Sequence, residues 1–149
     1  MALQTILLAV GPGDADRAEA LADAVGEVAE PTGARVVLAH VFTDDEYDEV
    51  LAQLEYDPMD EIDPDEVAAR HATVRELTRA FDEAGIEYEV KGRVGPHGES
   101  IVQLAKEVRA DRVVVGGRKR SPTGKAVFGS TAQEVMLNAP APVTFVRGD

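Results

Sequence analysis

Residues 113–147 read VVVGGRKRSPTGKAVFGSTAQEVMLNAPAPVTFVR. The pattern predicts an apolar strand, a glycine-rich basic loop, a helix that begins at Gly129-Ser130, and a short last strand. The charge is also reversed here: the chain has 28 acidic and 15 basic residues, yet no acid lies between Asp111 and Glu134. Free N–H groups and the helix dipole attract anions to a helix start. The stretch therefore predicts an anion site.

The rest of the chain alternates apolar runs with helical periodicity. The predicted strands are 5–10, 34–41, 86–93, the run around Val113 and 143–146, and amphipathic helices separate them. Continuous apolar runs are typical of parallel strands that are covered on both faces. Residues 86–93 alternate apolar and charged side chains, which favours a strand at the sheet margin. The pattern predicts an α/β fold with a parallel sheet and helices on both faces.

Composition limits the class of protein. A chain of 149 residues with 44% hydrophobic content suits one domain, residues 1–149. The absence of cysteine excludes disulfides and thiol chemistry, and no run of 18 apolar residues predicts a membrane span, so we expect a cytoplasmic protein. A net charge of −13 argues against nucleic-acid partners and resembles the acidic surfaces of proteins from high-salt cytoplasm.

Residues 44–66 carry twelve acids and no base, and they predict a solvated surface loop or short helix. A calcium loop is the alternative, but the segment lacks the central glycine and the regular ligand spacing. A second helix is expected from Pro64 to Gly85, with His71 in its middle. His40, His71 and His97 are far apart in the sequence, no pair has metal-ligand spacing, and structural roles are expected for all three.

Other glycine motifs match less well. Gly11-x-Gly13 is similar to a dinucleotide fingerprint, but its third small position is Asp16, so an oxidoreductase is disfavoured. Gly124-Lys125 is similar to a P-loop, but Lys119 replaces the first glycine and Ala126 replaces the magnesium-binding hydroxyl. No G-x-S-x-G elbow or triad spacing exists, which leaves nucleophilic catalysis without support.

A family resemblance covers the whole chain. The universal stress protein family has the signature G-x2-G-x9-G-(S/T), and this sequence resembles it with Gly116 at the first position and Gly129-Ser130 at the last two. The segment that follows, Asn138-Ala-Pro-Ala-Pro-Val143, also resembles the family. Residues 6–10, 40–41 and 110–116 resemble its first, second and fourth strands. The resemblance implies a Rossmann-like five-stranded parallel sheet of order 3-2-1-4-5, similar to adenine nucleotide alpha hydrolases. It also implies a homodimer through the last strand, with Val143 and Phe145 at the contact.

The resemblance further implies an adenine-nucleotide site for ATP, with Mg²⁺ held mostly by the phosphates. The implied binding residues are Ala9, Val10, Gly11, Val41, Val115, Gly116, Arg118, Lys119, Gly129, Ser130 and Thr131. Two positions depart from the family pattern, because Gly11 replaces the first-strand Asp that contacts ribose and Lys119 replaces the second signature glycine. No catalytic base stands out, so at most a slow ATPase is expected.

Two alternatives stay open. Ser130 and Gln133 match a capping box, so Ser130 can cap the helix or contact phosphate. Arg118, Lys119 and Arg120 can form a solvated basic loop or pair with acids elsewhere, and for any one of them this interpretation is favoured over a ligand contact. Gly11 and Lys119 also favour a second hypothesis, a nucleotide-free family member that acts as a dimeric interaction or protection protein.

Overall fold

The computed structural model describes residues 3–57, 61–118 and 129–148. In these ranges the strands are β1 Thr5–Val10, β2 Arg35–Phe42, β3 Tyr88–Val94, β4 Arg112–Arg118 and β5 Val143–Gly148. The α-helices are α1 Ala18–Thr32, α2 Asp44–Gln53, α3 Pro64–Arg70, α4 Ala72–Ala84, α5 His97–Glu107 and α6 Ser130–Asn138. A 3-10 helix, Pro12–Arg17, connects β1 to α1.

The five described strands form one parallel sheet in the order β3-β2-β1-β4-β5. The predicted fold class and strand order are confirmed. Every residue of β1 is buried, as its apolar sequence requires for a central strand with helices on both faces. The strand order reverses between β1 and β4, so the loops after these two strands diverge and leave a crevice.

Alternate side chains of the strands enter two cores on opposite faces of the sheet. Ile6 and Leu8 pack with Leu21 of α1 and Leu77 of α4, whereas Leu7 packs on the α5 and α6 side. This division follows from the two-residue period of a strand. It confirms that helices cover both faces.

The described part of the acidic segment includes the short helix that was one of its two predicted forms. It contains α2, a ten-residue helix with a capping box in which Thr43 Oγ1 accepts the Glu46 N–H and Glu46 Oε1 accepts the Thr43 N–H. The apolar residues of the segment pack beside Phe42 and Val67; they are Tyr47, Val50, Leu51, Leu54, Tyr56 and Ile62. The prediction of a solvated insert is therefore wrong for its apolar face, because Tyr47, Val50, Leu51 and Leu54 recur at helical spacing.

The single helix predicted from Pro64 to Gly85 is two helices. His71 interrupts it with an extended backbone (φ −66°, ψ 135°), and its ring Nδ1 accepts the Thr73 N–H at 3.3 Å to cap α4. The predicted helix end at Gly85 is correct, and this glycine adopts the left-handed conformation at φ 72°. The other boundary difference is small: β3 begins at Tyr88 rather than Ile86.

Candidate functional site

The crevice between the carboxyl ends of β1 and β4 contains an inner cavity of about 140 Å³. Its lining includes seven of the predicted site residues: Ala9, Val10, Gly11, Val41, Val115, Gly116 and Thr131. Ile101 and Ala132 complete its apolar wall, and Pro12, Asp14, Arg17 and His97 also line it. The cavity is therefore an apolar slot with a few polar groups, which is the usual form of a small-molecule site.

A wider groove of about 390 Å³ adjoins this cavity at the start of α6. Gly129 and Ser130 line it with Gly117, and it shares four residues with the inner cavity: Arg17, Gly116, Thr131 and Ala132. The shared residues make one continuous depression with an inner apolar end and an outer end beside a helix start. Lys119 and the side chain of Arg118 lie outside the described residues, so nine predicted site residues are brought together here.

Ser130 does not cap α6. Gly129 occupies the cap position with an extended backbone (φ −62°, ψ 158°) and makes no side-chain cap bond, while Ser130 is the first helical residue and is exposed. The capping interpretation is wrong because a cap residue must precede the helix with non-helical geometry. The exposed Ser130 hydroxyl instead belongs to the outer groove.

Asp14 and Arg17 form an ion pair inside the depression. Asp14 Oδ1 accepts a hydrogen bond from Arg17 Nε at 2.5 Å, and Asp14 Oδ2 accepts the Gly11 N–H at 2.7 Å. The 3-10 helix turns the Asp14 side chain back onto the end of β1, and Asp14 is only 5% exposed. The crevice thus contains a carboxylate although the residue after β1 is Gly11 rather than an acid.

The Asp14–Arg17 ion pair leaves no room for a side chain at position 116. A Cβ at position 116 would lie 2.8 Å from Asp14 Oδ1 and 2.9 Å from Arg17 Nε, closer than real Cβ atoms approach such groups. At Gly129, in contrast, an added Cβ would meet no atom within 4 Å. The first signature glycine is therefore needed for the packing of β4 against the ion pair, whatever the site binds.

His97 brings a second polar group to the cavity. Its Nε2 lies 2.7 Å from Oε1 of Glu46, a residue of α2 that is 51 positions away in the chain. Burial raises the pKa of the Glu46 carboxyl, but the Thr43 N–H and His97 outweigh it and the pKa is lowered overall. Glu46 is thus ionised at neutral pH and accepts hydrogen bonds from both neighbours.

The rings of the other two histidines, His40 and His71, lie beside each other. The rings of His40 and His71 stack with their centroids 4.4 Å apart, and His40 is 3% exposed. Burial, followed by the nearby His71, lowers the pKa of His40 to about 4, although the Val10 carbonyl and Glu46 oppose the shift. Burial also lowers the pKa of His71. Both rings are therefore neutral at pH 7, in accordance with the structural roles predicted for them.

Sequence reasoning missed Asp14, Arg17, His97 and Glu46 as site residues. Asp14 lies three residues after Gly11, the spacing of a helix-start acid, and this spacing is the sequence signal for it. The contact of His97 with Glu46 gives no local signal, because it is made by tertiary packing. In the described ranges no group of three or more His, Asp or Glu side chains is arranged to hold a metal ion.

The sheet and its crevice define a doubly wound α/β domain of the kind that holds ligands at its switch point. The sequence profile of the universal stress protein family matches residues 2–147. The chain belongs to the universal stress protein family. None of the helices in the described ranges is long and apolar enough to cross a membrane.

Individual relatives agree with this assignment. A universal stress protein structure from Archaeoglobus fulgidus is 30% identical, with a TM-score of 0.74, and covers 97% of this chain and 98% of its own. A structure of the universal stress protein from Archaeoglobus fulgidus in complex with dAMP is 25% identical, with a TM-score of 0.68, over 99% and 100% of the two chains. A universal stress protein from Mycolicibacterium smegmatis is 31% identical over 80 residues, which span 53% of this chain and 62% of that protein.

Proposed function

We propose that this protein binds an adenine nucleotide, with ATP and Mg²⁺ as the physiological ligand, and acts as a sensor or regulator rather than as an efficient enzyme. The observation that carries the proposal is the continuous depression at the switch point, with its apolar inner cavity and its outer groove at the start of α6. A relative that is 25% identical is described in complex with dAMP, which supports the same ligand class.

In the proposed complex the adenine base occupies the inner cavity and the phosphates occupy the outer groove. The inner cavity offers Val41, Ile101 and Val115 to a flat apolar base. The outer groove offers backbone N–H groups of the first turn of α6, which attract anions, together with Ser130 and Thr131. Asp14 supplies the carboxylate for ribose that the family pattern expects at the position of Gly11.

Calorimetric titration with ATP and Mg²⁺ in concentrated potassium chloride tests this proposal, on protein that mass spectrometry has shown to be free of nucleotide. Thr131 lines both parts of the depression, so Thr131→Trp should abolish binding by filling it. Gln133→Trp is the matched control, because Gln133 is an exposed residue of the same helix that lines neither part. Absence of wild-type binding up to millimolar ATP, or equal binding by both variants, would reject this site.

The second candidate function is that of a nucleotide-free dimeric interaction or protection protein. We propose that the protein forms a homodimer under both candidate functions. β5 lies at an edge of the described sheet, where strand backbone is available to a partner. Leu137, in the helix directly before it, is 75% exposed. Val143 and Phe145 themselves pack partly against the α5 and α6 core, so the edge backbone and Leu137 are the better candidates for the contact.

Light scattering tests the dimer. Leu137→Glu should yield a monomer, whereas Val94→Glu should remain dimeric, because Val94 is an exposed apolar residue on β3 at the opposite edge of the sheet. A wild-type monomer at 100 µM, or a dimer that survives Leu137→Glu but dissociates with Val94→Glu, would contradict this arrangement.

We also propose that the acidic surface adapts the protein to a high-salt cytoplasm. The net charge is −13, and screening by salt reduces the repulsion among these charges. The lack of cysteine suits a reducing compartment.

A further inference from the structure

A surface groove of about 350 Å³ lies between α1 and α4. Phe81 and Ile86 form its apolar floor, and both are buried beneath smaller side chains. The small residues that line it are Ala22, Gly26, Ala80 and Ala84. None of these residues lines the switch-point crevice. The α1–α4 groove is therefore separate from the proposed nucleotide site.

One side of the α1–α4 groove is acidic. Asp23, Glu27 and Glu30 line it, and all three are exposed residues of α1. Their i, i+4 and i+7 spacing makes a row about 10 Å long. α1 contains no base, and the two bases of α4, Arg75 and Arg79, line a different depression. The three carboxylates thus repel one another along the helix, which weakens it.

The acid row has no partner in the described part of the chain. Residues 3–57, 61–118 and 129–148 supply neither a hydrogen bond nor an ion pair to any of these three carboxylates. The side of the groove formed by α4 offers only apolar side chains, Ala80, Phe81 and Ala84. The α1–α4 groove therefore presents an apolar floor with uncompensated negative charge along one edge.

Gly26 keeps the α1–α4 groove open. It lies in the middle of α1, where glycine is less favourable than alanine by about 1 kcal/mol. A Cβ at this position would lie 3.9 Å from Ile86 Cδ1, which is an ordinary contact distance. The packing of the described residues thus has room for a side chain here. Glycine instead leaves the floor accessible beside the acid row.

Charge decides what kind of partner fits this groove. Another copy of the chain carries a net charge of −13, and nucleic acids and anionic membranes are also negative, so the acid row repels all three. The apolar floor requires apolar side chains as well as cations. A groove between two packed helices accepts the apolar face of a third helix, and α1, with 15 residues, offers a track of about 22 Å.

We propose that the α1–α4 groove is the docking site for a basic amphipathic helix of a partner protein. The apolar stripe of this helix covers Phe81 and Ile86, and lysine or arginine residues along one flank pair with the acid row. Because the acids lie only on the α1 side, the basic flank must face α1, which fixes how the helix is rotated in the groove. The site does not depend on what the crevice binds.

The probe is a fluorescein-labelled peptide of 18 residues, with leucine at helical spacing and lysine along one flank of the leucine stripe. Fluorescence anisotropy in 0.15 M KCl, where the Debye length is about 8 Å, should show saturable binding in the micromolar range. A peptide of the same composition in scrambled order has the charge without the stripe. Its affinity should be lower by at least about tenfold.

The acid row is tested by Asp23→Asn combined with Glu27→Gln. This variant should bind the peptide about fivefold more weakly, because two exposed ion pairs are lost. The matched control is Asp48→Asn combined with Glu49→Gln, which removes the same two charges from exposed positions of α2 and should leave the affinity within about twofold of wild type.

The floor is tested by Gly26→Leu, which fills the groove. Peptide affinity should fall by tenfold or more, on the order of the loss of one apolar anchor. Leucine is a better helix former than glycine, so thermal unfolding followed by circular dichroism should show a protein at least as stable as wild type. Ala24→Leu is the control, because position 24 lies about 200° around α1 from Gly26 and does not line the groove.

Each result decides the proposal. Absence of saturable peptide binding to the wild type up to 200 µM overturns it. Equal affinity for the scrambled peptide, or equal weakening by the two acid pairs, shows attraction by net charge alone and also overturns it. Gly26→Leu that is folded and retains wild-type affinity rules out the α1–α4 groove as the docking site.

Discussion

Removing the Asp14 carboxylate should strongly destabilise the protein. Asp14 is 5% exposed and accepts one N–H from the Gly11 backbone at 2.7 Å and one from Arg17 at 2.5 Å. Hydrogen bonds to charged groups contribute about 1.5–3 kcal/mol each, and breaking a buried ion pair costs about 3–5 kcal/mol. The side chain of Arg17 is 14% exposed, so water can partly replace its partner. We therefore expect Asp14→Ala to lower the free energy of unfolding by about 3 kcal/mol.

Urea denaturation followed by circular dichroism measures this change, and a double-mutant cycle assigns it to the pair. Asp14→Ala with Arg17→Ala should cost less than the sum of the single variants, with a coupling of about 1–2 kcal/mol. Asp16→Ala is the control, because Asp16 is an exposed acid of the same short helix and should change stability by less than about 0.5 kcal/mol. An Asp14→Ala cost below about 1 kcal/mol, or additive single effects, would refute this account of the ion pair.

Three further predictions concern packing, pH and salt. Gly116→Ala should lower stability by at least about 1 kcal/mol in urea denaturation, because the new Cβ would meet the ion pair at 2.8 Å, whereas Gly129→Ala has open space and should not. The pKa of His40 is about 4 in the folded protein, below its ordinary value of 6.5, so the unfolded chain binds more protons between these pH values and stability falls as pH decreases through that window. His40 alone should account for about 3 kcal/mol of this loss, and His40→Leu should flatten the measured pH dependence. Neutralising the exposed acids Asp48 and Glu49 to Asn and Gln should raise the unfolding temperature in dilute buffer but not in 3 M KCl; an equal gain in both would contradict charge repulsion.

The sheet could be predicted because its strands are encoded locally. Continuous apolar runs such as residues 5–10 identify central strands, and the alternating pattern before Val94 correctly placed β3 at an edge. Handedness and connection rules then leave few arrangements for five parallel strands. The family resemblance implied one site for residues at the ends of β1 and β4, without knowledge of any side-chain contact, and the switch point between these strands explains why they lie together.

The parts that could not be predicted depend on backbone detail or on distant contacts. Many acids and bases lie within a few residues of predicted strand ends or helix starts, and spacing alone does not say which side chain turns inward. For Asp14 the six-residue 3-10 helix determines the direction, because it turns the side chain back onto the end of β1. The interruption of the helix at His71 likewise depends on the ring capping Thr73 and stacking on His40, which is 31 positions earlier in the sequence.

The Asp14–Arg17 ion pair also changes what Gly11 implies about nucleotide binding. In the sequence, glycine at this position removed the family's ribose-binding acid and favoured the nucleotide-free alternative. In the structure, Asp14 returns a carboxylate to the end of β1, anchored to the N–H of Gly11 itself.

Arg17 uses only its Nε–H to hold that acid, and a guanidinium has four further N–H donors on its terminal nitrogens. Arg17 lines the outer groove as well as the inner cavity, so one side chain can bind Asp14 and still donate to a phosphate. We therefore infer that the acid and cation at this site are supplied by the 3-10 helix after β1. If this inference is correct, Gly11 does not disfavour nucleotide binding. The nucleotide-free alternative then depends on Lys119, the other position that departs from the family pattern.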